Sequence, residues 1–454
     1  MCSLFMHAAS FKSCRWKRLG KVTKPFLFTF FFLLAVGSYS HLHAEDESSS
    51  SSFPLSGSFR ITGEGEKSTL SHSLFNPSNL LMQPEISAEG FIVGNTTYKG
   101  LGGVVESEVR LGYAYINRKD PSFFERKIYD VNINQLYYQT TSDPFLLQLG
   151  RKKVRWGVGY SYSPTDLITQ LKNPEDPEDR LNKIKGTDIL QLSYIKNNSE
   201  LDLVYFPVLE WNSSNPFINS NRFGFRWYHL IDPFDLSFVG KVEQQGKWAS
   251  GVNTSVAIGK AIELHAEYLY TSLVNTNYPN PNLDPSETAY PFFLPTDKKG
   301  ANDILLGGQV TFYGDWNLTL EYLFHSAGYS SEEFNAYINR LISLNNQFGT
   351  YNQIPIVAGL QESALNYSTP LRQQYLFSRL YHPNLVHAIS IEMYSFLSLA
   401  DRSGLFVIKP KYTGSKTYEV YCLMEKFWGK NVTEFGLIPD RLNAIVGISL
   451  FLDR

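Results

Sequence analysis

Arg151, Lys152, Lys153 and Arg155 lead into a connection, Trp156 to Gly186, that carries Glu175, Asp176, Pro177, Glu178, Asp179 and Arg180 in one run. The chemistry open to such residues is electrostatic. A basic patch opposed to an acidic one across a low-dielectric gap creates a transverse field that orders water and sorts ions. Solvated loop ends at a membrane surface would show the same residues, and the spacing leaves both readings open. Strand parity adds a constraint: Arg151, Lys153 and Arg155 share a phase with Phe145, Leu147 and Leu149. They face an interior only if Gly150 marks a bulge or the strand has already ended.

Bond-making chemistry finds less support. His325 and Ser326 are the nearest approach to a hydrolytic dyad, but neighbours on a strand point to opposite faces. His382 and His387 flank a tight turn without metal-ligand spacing, and GxSxG, HExxH and phosphate-loop patterns are missing from the sequence. Neither an enzyme nor a cofactor or metal is expected.

The first 44 residues read as a targeting segment. Lys12, Arg15, Lys17, Arg18, Lys21 and Lys24 precede an apolar run from Phe26 to Val36 and a small, polar stretch ending at Ala44. The run is shorter than the ~20 residues a spanning helix needs. Cleavage there removes six of the 41 basic residues and none of the 43 acidic ones, leaving 35 against 43 and a net charge of −8. Nucleic-acid binding is therefore not expected. Cys422 is the one cysteine beyond that point, so no intrachain disulfide is available. Residues 45–53, with the serine run, read as a flexible lead-in, and 54–454 as one domain without a linker.

The elements that must position any such charges are short alternating strands. Ile262, Leu264, Ala266, Tyr268 and Tyr270 fall on one face, with Glu263, His265 and Glu267 on the other. Trp316 to Phe324, Tyr418 to Met424 and Ala444 to Leu452 repeat the pattern. Tight turns are expected near Asn95-Thr96, Ser142-Asp143-Pro144, Asn197-Asn198-Ser199, Asp232-Pro233, Gly259-Lys260, Gly314, Pro383-Asn384 and Gly414-Ser415, with longer connections between most pairs. This rhythm predicts an all-β chain: a single antiparallel transmembrane β-barrel of about eighteen strands, each near the ~9 to 11 residues that cross a bilayer. Closure satisfies backbone groups that an open edge would leave unpaired in hydrocarbon. Tyr and Trp girdles would anchor it.

The connection from Ala327 to Arg372 is too long for a plain loop. Ser330 and Glu333 have capping-box spacing, and Phe334, Tyr337, Ile338, Leu341 and Ile342 follow at helical intervals. One short helix near 331–344 is expected, packed against neighbouring loops or lying across the mouth as a lid or plug.

Several segments together resemble bacterial outer-membrane porin-like barrels related to the alginate-export type. They are Leu149-Gly150-Arg151-Lys152-Lys153 with Trp156-Gly157-Val158-Gly159, Ser163-Pro164-Thr165-Asp166-Leu167, Glu321 to Tyr329, and Thr433-Glu434-Phe435-Gly436. The resemblance implies passive or substrate-selective passage of small hydrophilic solutes. It also implies an inward-folded third external loop, with Arg151, Lys153, Arg155, Asp166, Glu175, Asp176, Glu178, Asp179 and Arg180 as the residues of a constriction. Outer-membrane lipid and the barrel-assembly machinery are the implied partners, and a homotrimer is left open. The chain ends Leu452-Asp453-Arg454 rather than on an aromatic residue. The alternative is a plugged structural or adhesive barrel acting through external loops such as Asn275 to Pro295.

Overall fold

The structure, a computed structural model, describes residues 54–100, 102–117, 126–169, 171–209, 220–244, 246–280, 292–350 and 353–452. The chain divides into two units, Met1–Pro54 and Leu55–Arg454, and the strands and helices of the described residues all belong to the second. The targeting segment expected over 1–44 and the lead-in over 45–53 lie outside the described residues.

Eighteen strands follow one another: β1 (Leu55–Leu70), β2 (Ile86–Gly100), β3 (Gly103–Asn117), β4 (Arg126–Ser142), β5 (Phe145–Lys152), β6 (Thr187–Lys196), β7 (Ser199–Phe206), β8 (Arg222–Ile231) and β9 (Phe234–Glu243) form the first half. The second half is β10 (Trp248–Ile258), β11 (Ile262–Pro279), β12 (Phe293–Phe312), β13 (Trp316–His325), β14 (Gln374–Val386), β15 (Ile389–Ser398), β16 (Gly404–Tyr412), β17 (Tyr418–Trp428) and β18 (Asp440–Leu452). Each pairs antiparallel with the next, and β18 returns to β1 with Phe59 opposite Leu452 and Gly63 opposite Ile448. The barrel is closed, so no strand presents an edge.

Alternation sorts the two faces. Leu147, Leu149, Leu190, Leu203, Phe225, Leu264, Leu320, Val446 and Ile448 are exposed on the outside. Gln148, Gln191, Asp202, His265, Glu267, Glu321 and Glu392 are buried within. A continuous apolar outer belt on a closed barrel is what a lipid-embedded barrel presents. Aromatic pairs mark its rims, among them Phe145 with Tyr194 at 5.4 Å near one end and Trp248 with Tyr270 at 5.2 Å near the other.

Two expected turns are displaced. The β2–β3 hairpin closes at Gly100 opposite Gly103, while Asn95 and Thr96 lie inside β2 opposite Glu108 and Ser107. The β14–β15 hairpin closes with Val386 opposite Ile389, not at Pro383-Asn384. Its two turn residues, His387 and Ala388, have φ of 45° and 68°. Such mirror-image turns normally carry Asn-Gly, which is why the sequence hid this one. The Asn384 side-chain oxygen, accepting the Ala388 N–H at 2.8 Å, supports the turn locally. β11 and β12 also outrun the expected lengths and pair to Pro279 opposite Phe293, converting part of the expected 275–295 loop into a tall hairpin.

Two helices, rather than the expected one, fill the β13–β14 connection: α1 (Ser331–Gln347) and α2 (Gln353–Leu365). Ser330 and Glu333 form the reciprocal capping box. Phe334, Tyr337, Ile338, Leu341 and Leu344 are buried. The Tyr337 hydroxyl donates to Ser363 O in α2 at 3.0 Å, and Asn345 Nδ2 donates to Leu74 O in the β1–β2 connection at 2.9 Å. The helices pack against neighbouring loops on the long-loop side.

Candidate functional site

The chain leaves the wall after Lys152 and rejoins it at Thr187. In between it runs along the inner wall of the barrel. An apolar anchor starts the course: Val154, Trp156, Leu167 and Ile168 pack with Ile189, Val204, Phe206, Val239, Ala249 and Leu269, contributed by β6, β7, β9, β10 and β11. Burial of these side chains provides a non-directional hold at this end.

Two wall carboxylates then grip the loop backbone. Glu267 on β11 is 2% exposed. It accepts the Val158 and Gly159 amides, both at 2.6 Å, the Ser163 hydroxyl at 2.8 Å, and the Thr165 amide and hydroxyl at 2.9 and 2.7 Å. Glu321 on β13 accepts the Tyr160 and Ser161 amides at 2.5 and 2.8 Å, the Ser161 hydroxyl, and His265 Nε2 at 3.0 Å. Hydrogen bonds to an ionised acceptor are the strong class, and these satisfy otherwise orphaned loop amides. The approach requires glycine: a Cβ on Gly157 would fall 1.5 Å from Ser163 Oγ and 2.9 Å from Glu267 Oε1.

The course continues on charge pairs and single hydrogen bonds. The Tyr160 hydroxyl donates to Glu392 at 3.0 Å, and Glu392 also accepts Arg379 at 2.5 Å and Lys409 at 2.6 Å. The Tyr394 hydroxyl donates to Glu175 O at 2.8 Å, and Lys409 reaches Glu178 at 2.5 Å. Arg180 grips Glu64 of β1 with two nitrogens at 2.7 and 3.1 Å, and the Tyr421 hydroxyl of β17 joins the same carboxylate. Lys183 meets Glu89 of β2 at 2.9 Å, while Arg110 of β3 donates to Leu181 O at 2.9 Å. Gly186 N returns the chain to Asn134 O of β4. The loop therefore follows the wall through β10, β11, β13, β15, β16, β17, β1, β2, β3 and β4, an inner belt.

The residues singled out in the sequence separate into groups. Arg151 lies on the face of Leu149, opposite Asp188, and its Nε and Nη2 bond that carboxylate at 3.0 and 2.9 Å. Gly150 has φ of +124° and β5 ends at Lys152, which frees Lys153 from strand parity. Its amine bonds Glu108 and Asn182 at 2.8 and 3.1 Å. Arg155 pairs with Asp166 at 2.9 Å, and Asp166 also accepts the Trp156 and Gly157 amides. Asp176 accepts the Arg180 amide, and Asp179 those of Lys183 and Ile184. Asp166, Asp176 and Asp179 therefore shape the loop, whereas Lys153, Glu178 and Arg180 tie it to wall residues.

Sequence reasoning missed the partners on the wall. Glu267 and Glu321 read only as inward polar positions, because backbone amides, their main partners, leave no trace in residue types. On the tight-turn side of Asn182, a cavity of about 320 Å³ is lined by Ser58, Arg60, Val93, Asn95 and Glu108 among others. His325 bonds Asp303 at 2.6 Å and the Ser326 hydroxyl accepts the Asn302 amide, so these neighbours do not form a dyad. Ser199 and His229 do meet at 2.7 Å, but in the outer-face row of Leu201 and Trp227, with His229 stacked on Trp227.

No family model matches the sequence, and no curated protein matches it either. Solved structures match the fold. OccAB1 of Acinetobacter baumannii aligns with 90% of this chain and 99% of its own, at a TM-score of 0.52 and 8% identity. OccK5 (OpdH) of Pseudomonas aeruginosa aligns with 88% of this chain and 98% of its own, at 0.50 and 7%. OccK8 (OprE) of the same organism gives 88%, 98%, 0.50 and 8%. At these identities the likeness shows the fold alone: the chain is a closed eighteen-stranded antiparallel barrel.

Proposed function

We propose that this protein is an outer-membrane channel through which small hydrophilic solutes diffuse, passively or with selection, and that the belt of residues 153–186 narrows its lumen. The observation that carries this reading is the belt itself. A polar loop folded inward and bonded to wall charges from Glu267 round to Glu89 supports this reading, because in a water-filled lumen it would line the path with fixed charge. Fixed charge in such a path selects ions and solutes. The tight turns then face the periplasm and the long loops the outside, after export by a cleaved signal over 1–44 and insertion by the barrel-assembly machinery. Homotrimerisation belongs to the same reading and is tested by cross-linking of the folded protein.

The helices α1 and α2 favour a second reading, a barrel closed by its loops and acting at its outer surface, because their buried contacts reach the β1–β2 connection. Proteoliposome swelling separates the two. Uptake of small sugars or amino acids by vesicles carrying the folded protein supports the channel, and vesicles as tight as protein-free ones support the closed barrel.

A further inference from the structure

We propose that the inner wall where β1, β17 and β18 meet holds a subsite for the ammonium group of a cationic solute, formed by Glu66, Glu425, Asp440 and the side-chain oxygen of Asn443. The inference names a solute class for the channel proposed above and rests on that reading.

Register brings these groups together. Asn443 of β18 stands opposite Glu425 of β17 and Ser68 of β1. Its Nδ2 donates to Glu425 at 3.3 Å, whereas its Oδ1 is buried with no hydrogen-bond partner, in a residue 6% exposed. Glu66 lies on the same face as Ser68 and accepts the hydroxyls of Ser68 and Ser87 at 3.2 and 3.0 Å. The register shifts after Thr69, which faces Leu442, so that Leu70 faces Asp440 and Arg441 is passed over. Such a bulge re-aims a side chain. Asp440 consequently turns to the side of Asn443; it is 8% exposed and its Oδ1 also lacks a partner.

The basic residues nearby are committed elsewhere. Arg180 is held by Glu64, and Arg441 donates to Ser71, Asn431 and the carbonyls of Gly429 and Gly436. Lys67 and Lys426 fall in the outward phase with Gly65 and Met424 and are exposed. Among the described residues, Glu66 and Asp440 have no cationic partner, and Glu425 feels only the through-space charge of Arg180, whose guanidinium is bonded to Glu64. Partly buried carboxylates without a counter-charge are costly, and two orphaned acceptor oxygens beside them add to that cost. A cation resolves both. The site offers acceptors alone, and an ammonium group brings three donors.

The test adds putrescine to the long-loop side of the folded barrel in a planar bilayer at neutral pH. The expected result is concentration-dependent interruption of the current, absent with the uncharged diol analogue, and a half-blocking concentration raised about tenfold or more in Glu425→Gln with Asp440→Asn. Equal block in that double variant, block by the diol, or block by Mg²⁺ at the same concentrations overturns the ammonium subsite. If the folded barrel passes no current, calorimetric titration of the detergent-solubilised protein with putrescine decides. Binding lost in the double variant sustains the subsite while the channel reading fails; no binding overturns the subsite.

Discussion

Glu267 holds Thr165 twice, accepting its amide at 2.9 Å and its hydroxyl at 2.7 Å, and the same carboxylate takes the amides of Val158 and Gly159 from the other limb of the loop. One side chain on β11 therefore clamps both limbs of the segment 158–165. A carboxylate is acceptor-only, so it suits a site where every neighbour is a donor.

Glu267→Gln places a donor-bearing amide among those donors. Loss of charge-assisted bonds is expected to loosen the loop by about 3 kcal/mol or more. The barrel should fold, with proteolysis appearing within 156–186 and current noise increasing; an unchanged digestion pattern would remove Glu267 from this role.

Gly157→Ala puts a methyl group where Ser163 Oγ lies, so the loop must shift. The change should resemble Glu267→Gln in proteolysis and current noise. Gly63→Ala, where an added Cβ meets nothing within 4 Å, is the control and should behave as the unaltered protein.

Arg180 and Glu64 tie the loop to the first strand through a pair whose side chains are 15% and 5% exposed. Removing one partner leaves a buried charge, with an expected cost of about 3 to 5 kcal/mol. Arg180→Ala and Glu64→Gln should each shift ion selectivity, and the double variant should shift it by less than the sum. Additive shifts would show that the two residues act separately.

Glu434, in the β17–β18 connection, accepts the Leu371 amide at 2.9 Å and the Tyr375 hydroxyl at 2.7 Å. Burial, with the nearby Asp401 charge, pushes its carboxyl up to about 7. A folded value raised above the unfolded one means that the group's contribution is complete below about 4.5 and is lost as pH rises through about 7. Hydrogen exchange at 369–375 and 433–438 should therefore quicken between pH 5 and 8, and Glu434→Gln should flatten that dependence.

The barrel was legible because lipid on one side and polar lumen on the other force a two-residue period, as at Ile262 to Tyr270. The hairpin at His387-Ala388 was not, because it uses residues that rarely adopt left-handed backbone. α2 also escaped: Gln353–Leu365 is apolar without a clear stripe, whereas α1 announced itself through Ser330 and Glu333. At the site, the sequence marked Lys153, Glu178 and Arg180 by charge, and the resemblance added Asp166. The sequence held no sign of the wall partners Glu108, Lys409 and Glu64, which lie on distant strands. Closure of the barrel, not proximity in sequence, brings them together.

Whether the belt narrows a conducting lumen is decided by single-channel currents of the folded barrel lacking Asn173 to Arg180. That deletion removes Glu178 and Arg180, the ties to Lys409 and Glu64, while leaving the clamp at Glu267 intact. Discrete openings are expected in the unaltered protein, with a larger conductance or altered ion preference in the deletion. Identical currents from the two would contradict a belt that narrows the lumen.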